Sequence, residues 1–137
     1  MDIKKASVKD YDKVLELWNS SKDVLDFGRK FDKKDLNNIT KTKNELIFVA
    51  KLNKQVIGTI FAEIKPMYCH VSKLLVDTIY RNKGVGTKML KEMEKFARKK
   101  SCKRMICFLE ENCEAYSNFW GKNKYEPTNI AMFQRKL

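Results

Sequence analysis

The chain has 137 residues, enough for one hydrophobic core and little more, so a single domain over residues 1–137 is expected. Its 43% hydrophobic and 11% aromatic content is that of a globular protein, which excludes a disordered chain despite 34% charged residues and a net charge of +12. No apolar run approaches the roughly 18 residues that span a bilayer, and the residues after Met1 lead into no apolar leader, so no membrane partner is expected.

In chain order, residues 2–6 alternate weakly and predict a first strand. Ser7-Val8-Lys9-Asp10 resembles a capping box, with Asp in place of the usual Glu or Gln. The helix that follows carries Tyr11, Val14, Leu15, Leu17 and Trp18 on a broad apolar face, with Trp18 read as core. Residues 20–30 are polar and read as a loop, and a short helix is expected over about 32–39. In that loop Asp23, Asp26 and Phe27 could meet a cationic amine, yet they lie among Lys22, Arg29 and Lys30, and the ordinary polar loop is the favoured reading.

Residues 46–52 and 56–64 are apolar and β-branched and predict a hairpin around Asn53-Lys54-Gln55. Lys65-Pro66 ends it. Residues 68–76 form the next strand, with His70, Ser72 and Leu74 expected on one face and Val71, Lys73 and Leu75 on the other.

That strand runs into Arg81-Asn82-Lys83-Gly84-Val85-Gly86-Thr87 and then into a long amphipathic helix. Val85, Met89, Met93, Phe96 and Ala97 recur at spacings of three and four, Leu90 widens the stripe, and lysines cover the other side. Two glycines at the junction let the backbone turn sharply and approach a ligand. The first helical turn offers unpaired N–H groups and the positive end of the dipole, and Arg81, Lys83 and Thr87 add charge and a hydroxyl. A diphosphate would fit there, and so would nothing but a glycine-rich turn. The spacing lacks the third glycine of a dinucleotide fingerprint and the G-K-[ST] of a P-loop.

Residues 104–109 read as a buried strand, parallel to the strand before the long helix and joined to it by a right-handed crossover. Residues 113–121 look helical, with Tyr116, Phe119 and Trp120 on an aromatic face, and 125–127 and 130–137 read as the last strand region.

The stretch from Leu74 to Lys100 resembles the central segment of the GNAT N-acetyltransferase family. Its signature R/Q-x-x-G-x-G/A is matched by Arg81, Gly84 and Gly86, flanked by Leu74-Leu75-Val76-Asp77, Tyr80, Thr87, Leu90 and Ala97-Arg98-Lys99. The resemblance implies an α/β (α+β) domain whose mixed, mostly antiparallel sheet has six to seven strands, a central parallel pair that splays apart, and about four helices. It also implies acetyl-coenzyme A as acetyl donor, passing its acetyl group directly to a primary amine: a small amine, or the amino group of a protein or aminoacyl-tRNA. The pantetheine arm would pair with the backbone of Leu74, Leu75 and Val76. The pyrophosphate would sit on Arg81, Asn82, Lys83, Gly84, Val85, Gly86 and Thr87, with Asn112, Phe119 and Trp120 on the far side. The Val76 N–H would meet the developing oxyanion.

Two positions depart from the family. Its N-x-x-A-x-x-x-Y pattern, counted from Asn112 and Ala115, puts Phe119 where the acid tyrosine stands, and counting back from Lys124-Tyr125-Glu126-Pro127 puts Trp120 there. Neither is an acid. Tyr116, one turn before Trp120, is the expected substitute. For the base, Glu63, His70, Glu110 and Glu111 are candidates.

Cys69, Cys102, Cys107 and Cys113 form no C-x-x-C pair and His70 is the only histidine, so no metal site is expected and the thiols read as those of a reduced, cytoplasmic protein. The basic balance leaves a second reading, a non-catalytic module of the same fold binding nucleic acid or a partner protein. Its charge is mostly lysine spread along the chain, which favours the enzyme. A monomer or a homodimer would suit either reading.

Overall fold

The computed structural model describes residues 1–23, 25–109 and 114–137, with 114–117 as backbone only. The elements in order are β1 (Asp2–Lys5), α1 (Tyr11–Ser20), α2 (Lys33–Thr40), β2 (Glu45–Leu52), β3 (Gln55–Ile64), β4 (Tyr68–Val76), α3 (Val85–Lys99), β5 (Arg104–Ile106) and α4 (Glu114–Lys122). The strands lie in the sheet in sequence order. The first three pairings are antiparallel, and β4 with β5 is parallel across the α3 crossover.

Each face of the sheet carries its own core. Met89, Leu90, Met93 and Ala97 of α3 pack on Ala50, Ile57, Ala62, Cys69 and Val71, the helical stripe read from the sequence meeting strand residues of period two. Val14, Leu17 and Trp18 of α1 and Leu36 of α2 cover Ile47, Val49 and Val56 on the opposite face. Entry to α1 is fixed by Asp10, whose Oδ2 accepts from Ser7 N at 2.9 Å and Ser7 Oγ at 3.2 Å. The box is as the sequence reads, but it opens on a short 3₁₀ turn rather than on the helix itself. Asp10 also meets Lys51 Nζ of β2 at 2.6 Å, a pair buried at both ends.

Three expectations are corrected. Among the described residues the sheet has five strands, not six to seven. Residues 125–137 form none of them: Ile130 and Phe133 are 85% and 93% exposed, and no ladder takes them up. Alternation shows only that a segment suits a half-buried pleated face; a strand also needs a partner, and that is a non-local fact. The strand expected over 104–109 is β5 alone, because pairing with β4 stops at His70↔Ile106.

The third correction is inside β4. Thr59↔Leu75 and Phe61↔Ser72 set two steps of β3 against three of β4, so β4 carries one extra residue. Lys73 sits there with φ of +54°. Before it Cys69 and Val71 face α3, and after it Leu74 and Val76 do, while Leu75 turns to the α1 face. The simple alternation expected along β4 therefore fails at Lys73.

Candidate active site

Past Ile106 the parallel strands separate, and the gap opens into a cleft of about 420 Å³. One wall is β4 from His70 to Val76, ending at Arg81. The other is Cys107, Phe108, Leu109 and Trp120, and the segment after α1, including Ser21 and Asp23, closes one end.

The β4 wall presents backbone groups. Asp77 N donates to Ile57 O at 2.8 Å, which makes the Gly58↔Val76 pair a non-hydrogen-bonded one in the antiparallel ladder. Val76 thus turns its N–H and C=O away from β3 and into the gap. Its carbonyl accepts from Arg81 Nε at 2.9 Å. By alternation Leu74 faces the same way, whereas Leu75 spends its backbone groups on β3 and lines the cleft with its side chain. Of the three residues assigned to backbone pairing with the arm, then, Leu75 is corrected.

At the far end of this wall α3 begins. Gly84 precedes it with φ of +81°, and no side chain among the described residues caps the helix. A residue with a Cβ would be strained at Gly84 by about 1 kcal/mol or more. At Gly86 the limit is space: a Cβ would lie 3.3 Å from the Phe119 ring and 3.8 Å from Val76 Cγ2. Asn82 is also left-handed, and Arg81, Asn82, Lys83 and Gly84 are all exposed. Thr87 Oγ1 accepts from Asn123 Nδ2 at 3.4 Å and keeps its own hydrogen to donate. The turn is thus an exposed row of N–H groups with two cations beside it.

Trp120 is buried in the cleft wall, its ring edge-on to Phe119 and to Tyr125 at 5.4 and 4.9 Å. Phe119 closes over Gly86 instead. Tyr125 packs half-buried against the α3 core and donates to Glu94 Oε2 at 2.8 Å; burial, then that bond, pushes its phenol well above the ordinary range. Tyr116 falls one turn before Trp120 on α4. Asn112, Glu110 and Glu111 lie outside the described residues.

The two base candidates on strands prove to be one unit. Glu63 and His70 are partners across the β3–β4 ladder, with His70 Nδ1 3.0 Å from Glu63 Oε1 and the imidazole edge-on to Phe108 at 5.2 Å. Cys107 lines the cleft too, but burial pushes its thiol up to about 11, so it is protonated at neutral pH.

Sequence reasoning missed Lys73. Its ammonium is 4% exposed and lies 2.6 Å from Asp26 Oδ1 and 3.1 Å from Asp23 Oδ2. The cationic amine that these aspartates meet is therefore the chain's own. A signal was available: a lysine between Val71 and Leu75 on a strand implies a buried cation that needs carboxylates.

A family model described as the acetyltransferase (GNAT) family matches residues 11–121. No curated protein matches the chain by sequence. Among solved structures, a protein from Agrobacterium tumefaciens described as an acetyltransferase superposes with a TM-score of 0.85 at 16% identity, covering 99% of this chain and 100% of its own. An aminoglycoside 6'-N-acetyltransferase from Acinetobacter haemolyticus gives 0.82 at 20%, covering 100% and 99%. A third, bound to a bisubstrate analogue that joins coenzyme A to an acetylated neamine, gives 0.78 at 17%, covering 99% and 97%. At such identities the likeness is one of fold.

Proposed function

The chain belongs to the acetyltransferase (GNAT) family, and on that premise we propose that it transfers the acetyl group of acetyl-coenzyme A directly to a primary amine. The observation that carries this reading is the opening of β4 from β5, with free backbone groups along it and the uncapped start of α3 at its end. The pyrophosphate would take the N–H groups of 84–87, with Arg81 and Lys83 as counter-charges. The pantetheine arm would run back along β4 as an added strand, bonding Val76 and Leu74. Their N–H groups are the donors available to the thioester carbonyl as its oxygen gains charge.

The amine must shed a proton to attack. The Glu63–His70 pair is the base best supported by position, because its own hydrogen bond holds the imidazole at the cleft. Strand rise puts His70 roughly 13 Å before Leu74, farther than one water spans, so its part would be to relay the proton through a chain of several waters. As the new C–N bond forms and the C–S bond breaks, the departing thiolate takes a proton from Tyr116. Direct transfer, without an acetylated enzyme, is supported by Cys107: the cleft thiol with a raised pKa is a poor nucleophile at neutral pH.

Calorimetric titration with acetyl-coenzyme A tests the premise of this mechanism. Saturable micromolar binding is expected, weakened about tenfold or more by Gly84→Val, since the strained αL turn would no longer present its N–H groups. Unchanged affinity in a folded Gly84→Val would overturn the cradle.

A further inference from the structure

Lys73 is joined to two parts of the molecule at once. The bulge takes its carbonyl out of the ladder, and the carbonyl accepts instead from Thr59 Oγ1 at 2.9 Å, a hydroxyl that itself accepts from Trp18 Nε1 at 3.2 Å. All of this is buried. The side chain leaves on the α1 side, passes the Trp18 and Phe31 rings at 5.7 and 5.1 Å, and ends on Asp23 and on both oxygens of Asp26. Both aspartates belong to the segment between α1 and α2. Among the described residues its other side-chain bonds, such as Arg29 to Asp35 and Lys30 Nζ and Phe31 N to Asn19, stay within the segment or go to α1 and α2.

We propose that Lys73 is a positioning residue for the acceptor: its ammonium clamps the α1–α2 segment to the bulge of β4 and so sets the acceptor wall of the cleft. The electrostatics are one-sided. A buried ammonium needs compensation, and two carboxylates with two aromatic faces supply it. Without the ammonium, two neighbouring carboxylates would repel each other and seek water, and the segment would leave β4. The bulge beside Leu74 thus carries the side chain that holds in place the segment closing one end of the cleft. The kinetic consequence rests on the acetyl-transfer reading; the clamp itself does not.

The test compares the full chain with Lys73→Met, Asp26→Asn and Lys73→Arg. In hydrogen–deuterium exchange, amides of the α1–α2 segment should exchange about tenfold faster in Lys73→Met, with those of β2 and β3 unchanged and Lys73→Arg between. Segment exchange equal to the parent would overturn the clamp. Asp26→Asn leaves the ammonium in place and should give the same local change, so the test survives if Lys73→Met fails to fold. In turnover with phenethylamine as acceptor probe, followed by thiol release, Lys73→Met should raise the acceptor KM about tenfold, with kcat and acetyl-coenzyme A affinity within about twofold. A fall in kcat with KM unchanged would overturn the positioning role. If the parent protein binds no acetyl-coenzyme A, the acetyl-transfer reading falls and the exchange result still decides the clamp.

Discussion

In the proposed chemistry the acid role falls to Tyr116, because the positions where an acid tyrosine would stand are occupied by Phe119 and Trp120. Those two have structural work in this chain: Phe119 closes on Gly86, and Trp120 is wedged between Phe119 and Tyr125. Tyr125 is excluded from the acid role, since its hydroxyl is committed to Glu94 of α3. Tyr116→Phe should therefore lower kcat about tenfold to a hundredfold, the low end for a lost general acid, because a thiolate with a pKa near 8.5 can leave unaided. The KM for acetyl-coenzyme A should not move. Steady-state rates across pH decide it: the variant should lose an alkaline limb that the parent shows. Identical profiles would mean that the thiolate departs without help from this residue.

At the scale of elements, the Asp10–Lys51 pair ties the start of α1 to the middle of the sheet. Burial by itself would raise the Asp10 pKa, but the Lys51 ammonium and the Ser7 N–H together outweigh it and hold the carboxyl below its usual value. A carboxyl whose folded value lies below its unfolded one, near 3.9, stabilises the fold fully above that unfolded value and loses its contribution as pH falls through the folded one. Asp10→Asn leaves a buried ammonium unpaired and should cost about 3–5 kcal/mol at pH 7. Urea unfolding at pH 7 and at pH 3 measures it, and the gap between parent and variant should narrow at the lower pH. A gap independent of pH would assign the loss to packing. The same element shows what a sequence discloses. The capping box and the α3 stripe were legible because they are set by residues three or four apart, and the Arg81-to-Thr87 turn because glycine and strand-to-helix context are local. The Lys73 bulge, the Glu63–His70 pairing and the failure of residues 130–137 to join the sheet were not, since each depends on which residue of another strand stands opposite. Lys73 is the instructive case: its position between apolar residues marked it as buried, but the register shift that turns it to the α1 face leaves no trace in spacing.

Over the whole molecule, several of the buried and half-buried carboxylates are paired with lysines. Asp10 faces Lys51, Asp23 and Asp26 face Lys73, and Asp77 faces Lys13. Much of the net charge of +12 is therefore carried by solvated lysines, among them Lys88, Lys91, Lys95 and Lys99 along the exposed side of α3. Such a field raises the local concentration of any polyanion, and coenzyme A is one. Its reach is about 10 Å at 0.1 M salt and about 3 Å at 1 M, so the lysines of α3 should act on the phosphates at its N-terminus only at low ionic strength. Acetyl-coenzyme A affinity measured from 0.05 to 0.5 M salt should weaken about tenfold, mostly over the lower part of that range. A flat dependence would mean that backbone N–H groups and their immediate neighbours hold the phosphates without help from the wider surface. Duplex DNA run in parallel separates the remaining reading, because a module that grips six to ten phosphates would lose roughly 10³–10⁵ in affinity over a fourfold rise in salt. Binding of that steepness to DNA, with none to acetyl-coenzyme A, would make the basic surface the functional site and the cleft a vestige of the fold. A modest slope for the cofactor and no duplex binding would leave the lysines as a steering field around the cleft between β4 and β5.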